Sequence, residues 1–395
     1  MDPSFFIAGR LRFKGRIAML SIAVSFIVII IAVAVSSGFR QEVRSGLSMM
    51  SGDIQLTPPS MSVLDGSSPI DSDASYMKYV REVESVESIV PVVYRAGIVR
   101  NDENIHGILI KGIPEDAGFI SDVHSYDSVA LPVSIPSRLA EISGLGPGDR
   151  MLTYFVGEDV KARQFNVVSV HDAMIETDDR LVVYADLSDV QRLNGWASGQ
   201  VSAIEIMLDD KEEAAVSATA SEIGTLVNAY MSDDDEPVIA LSSVSRYPQL
   251  FDWLDLIDFN VVFILILMTI VAGFNMISGL LIMLFENIST IGLLKSLGMT
   301  DRSISKIFLS CSAVLVLKGM AAGNVIALLF CILQKTTHVL RLDPENYFVS
   351  YVPVNPDLGM ILTADIVTFV AIMLLLLIPC IFISKVDPAE TVRVK

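Results

Sequence analysis

Four long apolar runs with almost no charge constrain this 395-residue chain more than any other feature. The first run lies between Arg16 and Arg40 and the second between Asp258 and Glu286. Neither contains a charged residue, and the other two contain one each. A helix needs about 20 apolar residues to cross the ~30 Å hydrocarbon core of a bilayer. We therefore predict an α-helical membrane protein whose four transmembrane helices are 17–40, 259–285, 307–334 and 358–384.

Charge is divided unequally along the chain and predicts its orientation. Of 28 basic and 46 acidic residues, the segment from Arg40 to Asp258 holds 15 basic and 37 acidic ones, which is a net charge of -22. The segments before the first run, between the second and third runs and after the fourth carry a basic excess, and Lys and Arg are retained on the cytosolic side of a membrane. The acidity also excludes nucleic acid as a partner. We expect cytosolic segments at 1–16, 286–306 and 385–395, an external domain at 41–255 and a short external loop at 335–357.

The first apolar run has a second interpretation, a cleaved signal peptide, because Ala32-Val33-Ala34 resembles a small-x-small cleavage site. The run is longer than the usual signal-peptide core, which favours an uncleaved anchor. Before it, Phe and Leu side chains interleave with Arg10, Arg12 and Lys14. Such a segment suits an amphipathic helix at the inner surface of the membrane, with its cations near anionic lipid.

The external segment mixes strand-like and helix-like patterns. Short β-branched stretches bounded by Gly, Pro or Asp predict strands at 88–94, 105–111, 165–170, 180–184 and 201–208. Helical spacing occurs at 75–86, 188–193 and 212–227. We therefore predict an α+β domain.

Sites of covalent or metal chemistry are not visible in the sequence. The dipeptide Gly-Lys of a phosphate-binding loop does not occur, so ATP would have to be hydrolysed by a partner. The four histidines, His106, His124, His171 and His338, are far apart and lack the spacing of a zinc site. All three cysteines fall in the last two apolar runs. We expect a chain that is not an enzyme and that carries no metal or cofactor of its own.

The cytosolic segment 286–306 contains a short helix-like pattern. Its apolar residues Ile288, Ile291, Leu294 and Leu297 recur every three positions and predict one apolar stripe, which Gly298 would end as a C-terminal cap. Thr300 or Asp301 would then be the N-cap of the third span. Such a helix can rest on the lipid surface or enter a groove on a cytosolic partner.

Several short motifs, in this order and at these spacings, resemble the four-span FtsX-like ABC transporter permeases, in particular the LolC/LolE family of the lipoprotein-releasing system. The resemblance extends along nearly the whole chain. Its motifs are Gly38-Phe-Arg-Gln-Glu42, Gly52-Asp-Ile-Gln-Leu56, Ile108-Leu-Ile-Lys-Gly-Ile-Pro114, Gly148-Asp149, Phe165-Asn-Val-Val168, Phe274-Asn-Met-Ile277 and Asp387-Pro-Ala-Glu390.

The resemblance assigns a role to the cytosolic helix, which would couple the permease to a cytosolic LolD-like ABC ATPase that holds the ATP and Mg. It also implies an inner-membrane location with a periplasmic MacB-like domain, in which a Sabre-type β unit is inserted into a Porter-type α+β unit between about residues 130 and 195. The family usually has an acidic residue where this loop has Thr290, so contacts to the ATPase would depend on Glu286 and Lys295. The coupling residues are Glu286, Ile288, Ile291, Leu294, Lys295, Leu297 and Gly298.

By the same resemblance, a second permease copy or a paralogue would complete a lipid-accessible cavity for a lipoprotein substrate. Met and aromatic side chains suit varied acyl chains, although anchoring at the membrane interface explains Trp253 and Phe259 equally well. The turn between Tyr154 and Arg163 is too short for the hook by which LolC holds a LolA-like periplasmic carrier, which points to a LolE-like or homodimeric member. The cavity residues would be Phe39, Met49, Met50, Phe251, Trp253, Leu254, Phe259, Val262 and Phe263.

The two charges inside the later spans, Lys318 and Asp365, lie at similar estimated depths in the bilayer. We predict that they form an ion pair inside the helix bundle, because an unpaired charge there is costly; a proton or ion relay is the alternative.

Three functions are compatible with these patterns. An ABC permease would extract lipoproteins or another lipid-anchored substrate. An FtsX-like signal relay would instead control an external cell-wall hydrolase. An ion-coupled secondary transporter would depend on Lys318 and Asp365, but the repeated spans of that class are missing. The apolar cavity and the large external domain favour the first.

Overall fold

The computed structural model describes residues 16–60, 68–101, 104–117, 123, 130–155, 160–172, 181–343, 347 and 349–381. The predicted N-terminal amphipathic segment and the C-terminal tail lie outside the described residues, apart from Arg16. The chain divides into two compact units. The helical unit consists of Met1–Arg40, Trp253–Leu340 and Val352–Lys395, and the sheet unit consists of Gln41–Asp252 and Arg341–Tyr351.

Eleven helices and eleven strands are described, besides one short 3-10 turn. The helices are α1 (Arg16–Ser51), α2 (Met77–Val80), α3 (Ser137–Ser143), α4 (Leu187–Asn194), α5 (Glu213–Tyr230), α6 (Ser243–Arg246), α7 (Pro248–Glu286), α8 (Ile288–Ser296), α9 (Asp301–Thr337), α10 (Leu358–Leu375) and α11 (Leu377–Cys380). The strands are β1 (Ile54–Thr57), β2 (Ile70–Asp71), β3 (Val86–Asn101), β4 (Asn104–Ile113), β5 (Pro132–Pro136), β6 (Arg150–Phe155), β7 (Lys161–His171), β8 (Leu181–Asp186), β9 (Gln200–Val201), β10 (Ala203–Leu208) and β11 (Ile239–Ser242).

Four of the described helices are long and apolar enough to cross a membrane, as the charge-free runs predict. They are α1, α7, α9 and the helix formed by α10 with α11. The first two continue beyond their charge-free runs, since α1 extends to Ser51 and α7 begins at Pro248. Backbone hydrogen bonds continue α1 beyond Arg40 and begin α7 before Asp258, the charged residues at which the two apolar runs end.

Small residues let the long helices approach one another closely. A Cβ atom added at Gly323 of α9 would lie 2.7 Å from the carbonyl oxygen of Ala23 in α1, so only glycine fits at this crossing. Close backbone approach at small residues is the usual way in which membrane helices pack, because lipid provides no hydrophobic drive for helix association. The centre of the helical unit is a cluster of buried Ile, Leu, Met and Phe side chains from α1, α7, α9 and α10.

Strand β3 belongs to two sheets. Its first part pairs with β10 and continues a four-stranded sheet in the order β11-β1-β10-β3. From Val93 onward it pairs with β4 and opens a six-stranded barrel, β3-β4-β8-β5-β7-β6, which closes where Val99 pairs with Thr153. A closed barrel leaves no exposed strand edges within it. The α+β prediction for this unit is confirmed.

Most of the predicted elements are present, with two corrections. The predicted helix at 75–86 is wrong, because only the single turn α2 forms and Val86 already pairs with Leu208 as the first residue of β3. The change of sheet lies within β3 at Val93, not near residue 130. The sequence patterns did not predict β1, β2, β5, β6 or β11, which are two to six residues long.

Candidate functional site

The segment between α7 and α9 folds into a tightly held short helix. Helix α7 ends at Glu286, one residue, Asn287, intervenes, and α8 begins at Ile288. Gly298 has a φ of 87° and follows the helix in a Schellman motif, in which the amide of Met299 donates to Leu294 O and that of Gly298 to Lys295 O. The predicted glycine cap is confirmed, and Thr300 is the N-cap of α9.

The predicted apolar stripe of α8 is wrong as a single face. Ile291 is buried in the centre of the helical unit and Leu294 packs against that centre, whereas the side chain of Leu297 is 74% exposed. With 3.6 residues per turn, each three-residue step falls short of a full turn by about 60°. Three such steps carry Leu297 to the side of the helix opposite Ile288.

The exposed surface of α8 keeps three of the predicted coupling residues, Glu286, Ile288 and Leu297, and adds one that the sequence did not predict. Leu293, which the three-residue spacing leaves out, is 55% exposed together with Leu297, and Ile288 is partly exposed. Lys295 forms an ion pair with Asp301 at 3.0 Å, so its ammonium is engaged with the start of α9. Glu286 is exposed at the end of α7. We call Glu286, Ile288, Leu293 and Leu297 the loop surface.

The nine predicted cavity residues differ in how far their side chains are exposed. Phe39, Phe251 and Leu254 are buried, and Met50 and Trp253 are partly buried. Four of the nine side chains are exposed. They are Met49 and three residues of α7 whose side chains are 54–69% exposed: Phe259, Val262 and Phe263. The exposure on α7 continues along one face through Ile266, Ile270 and Phe274. We call Phe259, Phe263, Ile266, Ile270 and Phe274 the α7 face.

A cluster of polar groups joins α1 to α7 beside this face. Arg40 forms ion pairs with Asp258 and, at 2.8 Å, with Asp255. The hydroxyl of Ser36 donates to the Asp258 carboxylate, and the ring of Phe39 meets that of Trp253 edge-on at 5.7 Å. In the sequence, Arg40 and Asp258 appear only as charged ends of two apolar runs. Their ion pair was not predicted, because the two residues are 218 positions apart.

The sheet unit contains a fully buried ion pair that the sequence did not predict. Lys111 of β4 donates to Glu205 of β10 at 2.7 Å and to the carbonyl of Met50 in the last turn of α1 at 2.9 Å. The hydroxyl of Tyr94 donates to the other Glu205 oxygen, and Gln55 donates to that hydroxyl. Burial lowers the pKa of Lys111, against the opposing attraction of Glu205, and raises that of Tyr94.

The predicted ion pair between Lys318 and Asp365 is wrong. Lys318 is exposed, no ion pair joins it to Asp365 in the described part of the chain, and Asp365 accepts a hydrogen bond from the amide of Asn324. Asn324 lies six residues after Lys318 on α9, which is about 9 Å along the helix and about 120° around it. The estimate of similar depth was therefore wrong by about 9 Å, and Lys318 is also on a different side of α9.

Within the described residues, His, Cys, Asp and Glu side chains form no group that could hold a metal ion. His106 lies on β4, and His171 at the end of β7 faces Ser134 and Tyr184, with its Nδ1 2.9 Å from the Ser134 hydroxyl. His124 lies outside the described residues.

Known families match both halves of this architecture. Residues 17–226, more than half of the chain, match the MacB-like periplasmic core domain, and residues 262–388 match the FtsX-like permease C-terminal domain. The chain belongs to the FtsX-like ABC transporter permeases with a MacB-like periplasmic core domain. Most of the sheet unit thus lies in the periplasmic-domain match, together with α1, and the permease match covers most of α7 and all of α9 and α10.

Curated relatives of this permease extend over nearly its whole length. The lipoprotein-releasing system transmembrane protein LolC of Neisseria meningitidis serogroup B is 22% identical over 98% of the chain and 95% of its own length. LolC of Xylella fastidiosa (strain Temecula1) is 19% identical with the same coverage. Among solved structures, the periplasmic region of MacB from Actinobacillus actinomycetemcomitans is 15% identical, covering 50% of this permease and 91% of that chain, with a TM-score of 0.32.

Proposed function

We propose that this permease is the membrane subunit of an ABC transporter that releases lipoproteins, or another lipid-anchored substrate, from the inner membrane. The observation that carries the proposal is the match to LolC, which is collinear over 98% of the permease. Both termini and the loop surface are cytosolic in this proposal, and the sheet unit is periplasmic. A separate LolD-like ATPase binds ATP and Mg and hydrolyses the nucleotide.

The packing of α8 supports a mechanical role for it. Only Asn287 separates α8 from α7, and the Lys295–Asp301 ion pair ties it to α9. Ile291 anchors its inner side in the core of the helical unit. A force that the ATPase applies to the loop surface therefore reaches α7 and α9 through short, hydrogen-bonded connections and the packed core rather than through a flexible loop.

The α7 face supplies the proposed contact with the lipid anchor. Five large apolar side chains along one side of a spanning helix remain exposed in the single chain. In the proposal, a second copy or a paralogue places its own first and second spans opposite them. Together they enclose a cavity in which acyl chains contact apolar and aromatic side chains. Movement of α7 would then expel the anchor towards a periplasmic acceptor such as a LolA-like carrier.

Co-purification after mild extraction tests the proposal. An ABC ATPase and a bound lipoprotein should accompany the full-length permease, and ATP should release the lipoprotein from reconstituted vesicles. An ATPase found together with a cell-wall hydrolase, without lipid, would overturn transport in favour of the FtsX-like relay.

Two substitutions test the loop surface specifically. Leu297→Asp places a charge on the exposed side of α8 and should strongly reduce recovery of the ATPase without unfolding the permease. Val339→Asp is the matched control, because Val339 is 68% exposed but lies in the loop between α9 and α10. Equal recovery of the ATPase with both variants would contradict the proposed docking at α8.

A further inference from the structure

Asp365 of α10 is a carboxylic acid buried inside the helical unit with a single amide as its partner. The residue is 4% exposed, and its Oδ2 accepts from the Nδ2 of Asn324 on α9. On the same two side chains, Asp365 Oδ1 and Asn324 Oδ1 are also buried, and neither has a hydrogen-bond partner among the described residues. One oxygen on each of these two hydrogen-bonded side chains is therefore left without a donor.

Apolar side chains pack against one side of this pair and supply neither a donor nor a cation for a carboxylate. Ile361, one turn before Asp365, and Ala327, one turn after Asn324, pack with Ile30 of α1 in a buried cluster. The cation nearest in sequence on α9, Lys318, is exposed on a different side of the helix. A charged carboxylate at such a position inside a spanning helix is costly.

A single proton satisfies both unpartnered oxygens. If Asp365 Oδ1 carries a proton, it can donate to Asn324 Oδ1 while Asn324 Nδ2 donates to Asp365 Oδ2. The result is a cyclic pair of acid and amide with two hydrogen bonds, no net charge and every polar atom of the two groups engaged. Each unsatisfied buried acceptor destabilises the folded state, and the protonated form removes two of them together.

We propose that Asp365 binds one proton and joins α10 to α9 as a neutral acid–amide pair with Asn324. The pair is a structural joint between two spans and does not carry ions. A metal cation is a poorer occupant, because His, Cys, Asp and Glu side chains among the described residues form no group around Asp365 that could hold one. The proposal is independent of the substrate that the permease moves.

Infrared difference spectroscopy of the full-length permease in lipid nanodiscs at neutral pH tests the proton directly. Subtracting the spectrum of Asp365→Asn from that of the unmodified protein should leave the carbonyl band of a protonated carboxylic acid, shifted to lower frequency in D₂O. Asp357→Asn is the matched control on the same helix: Asp357 is the exposed N-cap of α10, and its removal should subtract a carboxylate band. A carboxylate band lost from Asp365→Asn would overturn the proposal.

Two further variants test the amide partner. Asn324→Leu should raise the frequency of the acid band, because the carbonyl of Asp365 loses its donor; an unchanged frequency would contradict the pairing. In thermal unfolding, Asp365→Asn should match the unmodified protein, since an amide at 365 can form the same two hydrogen bonds. Asp365→Leu should unfold at a lower temperature. If Asp365→Asn were as unstable as Asp365→Leu, a carboxylate would be required and the neutral pair would be wrong.

Discussion

The two units of this permease bury polar groups in opposite ways. In the sheet unit, Lys111 and Glu205 are both fully buried as a charged pair, surrounded by a tyrosine, a glutamine and a backbone carbonyl. In the helical unit, Asp365 meets only a neutral amide. A dense network of donors and acceptors can replace water around an ion pair, whereas a bundle of apolar helices cannot. A buried charge is therefore tolerated where neighbouring strands supply several hydrogen-bond partners.

The largest effect is expected when the charged pair is broken. Lys111→Met leaves Glu205 buried without its cation, which should lower the free energy of unfolding of the sheet unit by about 3–5 kcal/mol. The measurement is denaturant-dependent hydrogen exchange of the β3 and β10 peptides in the full-length protein. Lys111→Met combined with Glu205→Met should recover most of the loss. A double variant as unstable as the single one would show that the two charges do not act as a pair.

An intermediate effect is expected at His171, which borders the same network through the ring of Tyr184, 4.9 Å away. Burial, which outweighs the attraction of Asp172, lowers the pKa of His171 to about 4. The unfolded chain binds this proton below about pH 6.5 and the folded chain only near pH 4. The sheet unit should therefore lose stability as pH falls from 6.5 to 4, by at most about 1.4 kcal/mol per pH unit from this group.

His171→Phe isolates that contribution, because a phenyl ring can keep the edge contact with Tyr184 but cannot titrate. The difference in unfolding free energy between the two proteins should change between pH 6.5 and 4 and stay constant above pH 7. A constant difference across the whole range would mean that His171 titrates equally in both states.

The smallest effect is expected at Lys318. Its side chain is exposed and Asp365 is bonded to Asn324, so Lys318→Met should change the thermal stability of the helical unit by less than about 0.5 kcal/mol. Differential scanning calorimetry in lipid nanodiscs measures this change. A loss comparable to that of Asp365→Leu would restore the ion pair that the sequence suggested.

Sequence patterns predicted best where the cause is local. Charge-free runs predicted the four long helices, and Gly298 and Thr300 predicted the end of α8 and the start of α9. Strands near 88–94 and 105–111 followed from β-branched residues between turn formers. The predicted helix at 75–86 is wrong for a non-local reason, because Val86 pairs with Leu208 of a strand that is distant in sequence.

The candidate site could be predicted only in part. The position of the loop surface along the chain was evident, but the side of α8 that faces outward depends on how Ile291 packs in the core. Leu293 was missed for that reason. Two residues of the α7 face, Phe259 and Phe263, were predicted from the sequence as cavity residues. Phe251 and Leu254 were predicted with them, but their side chains are buried.

By itself, the sequence determined the number of long helices, the acidic sheet unit between the first two, and the short helix between the second and third. These depend on the length of apolar runs and on caps formed by adjacent residues. Only the tertiary structure decided which polar groups meet, since Lys111 and Glu205 are 94 positions apart and Asn324 and Asp365 are 41 apart. The topology of strands and helices determines which residues become such partners. A linear pattern of residues does not encode the angle at which two elements face each other.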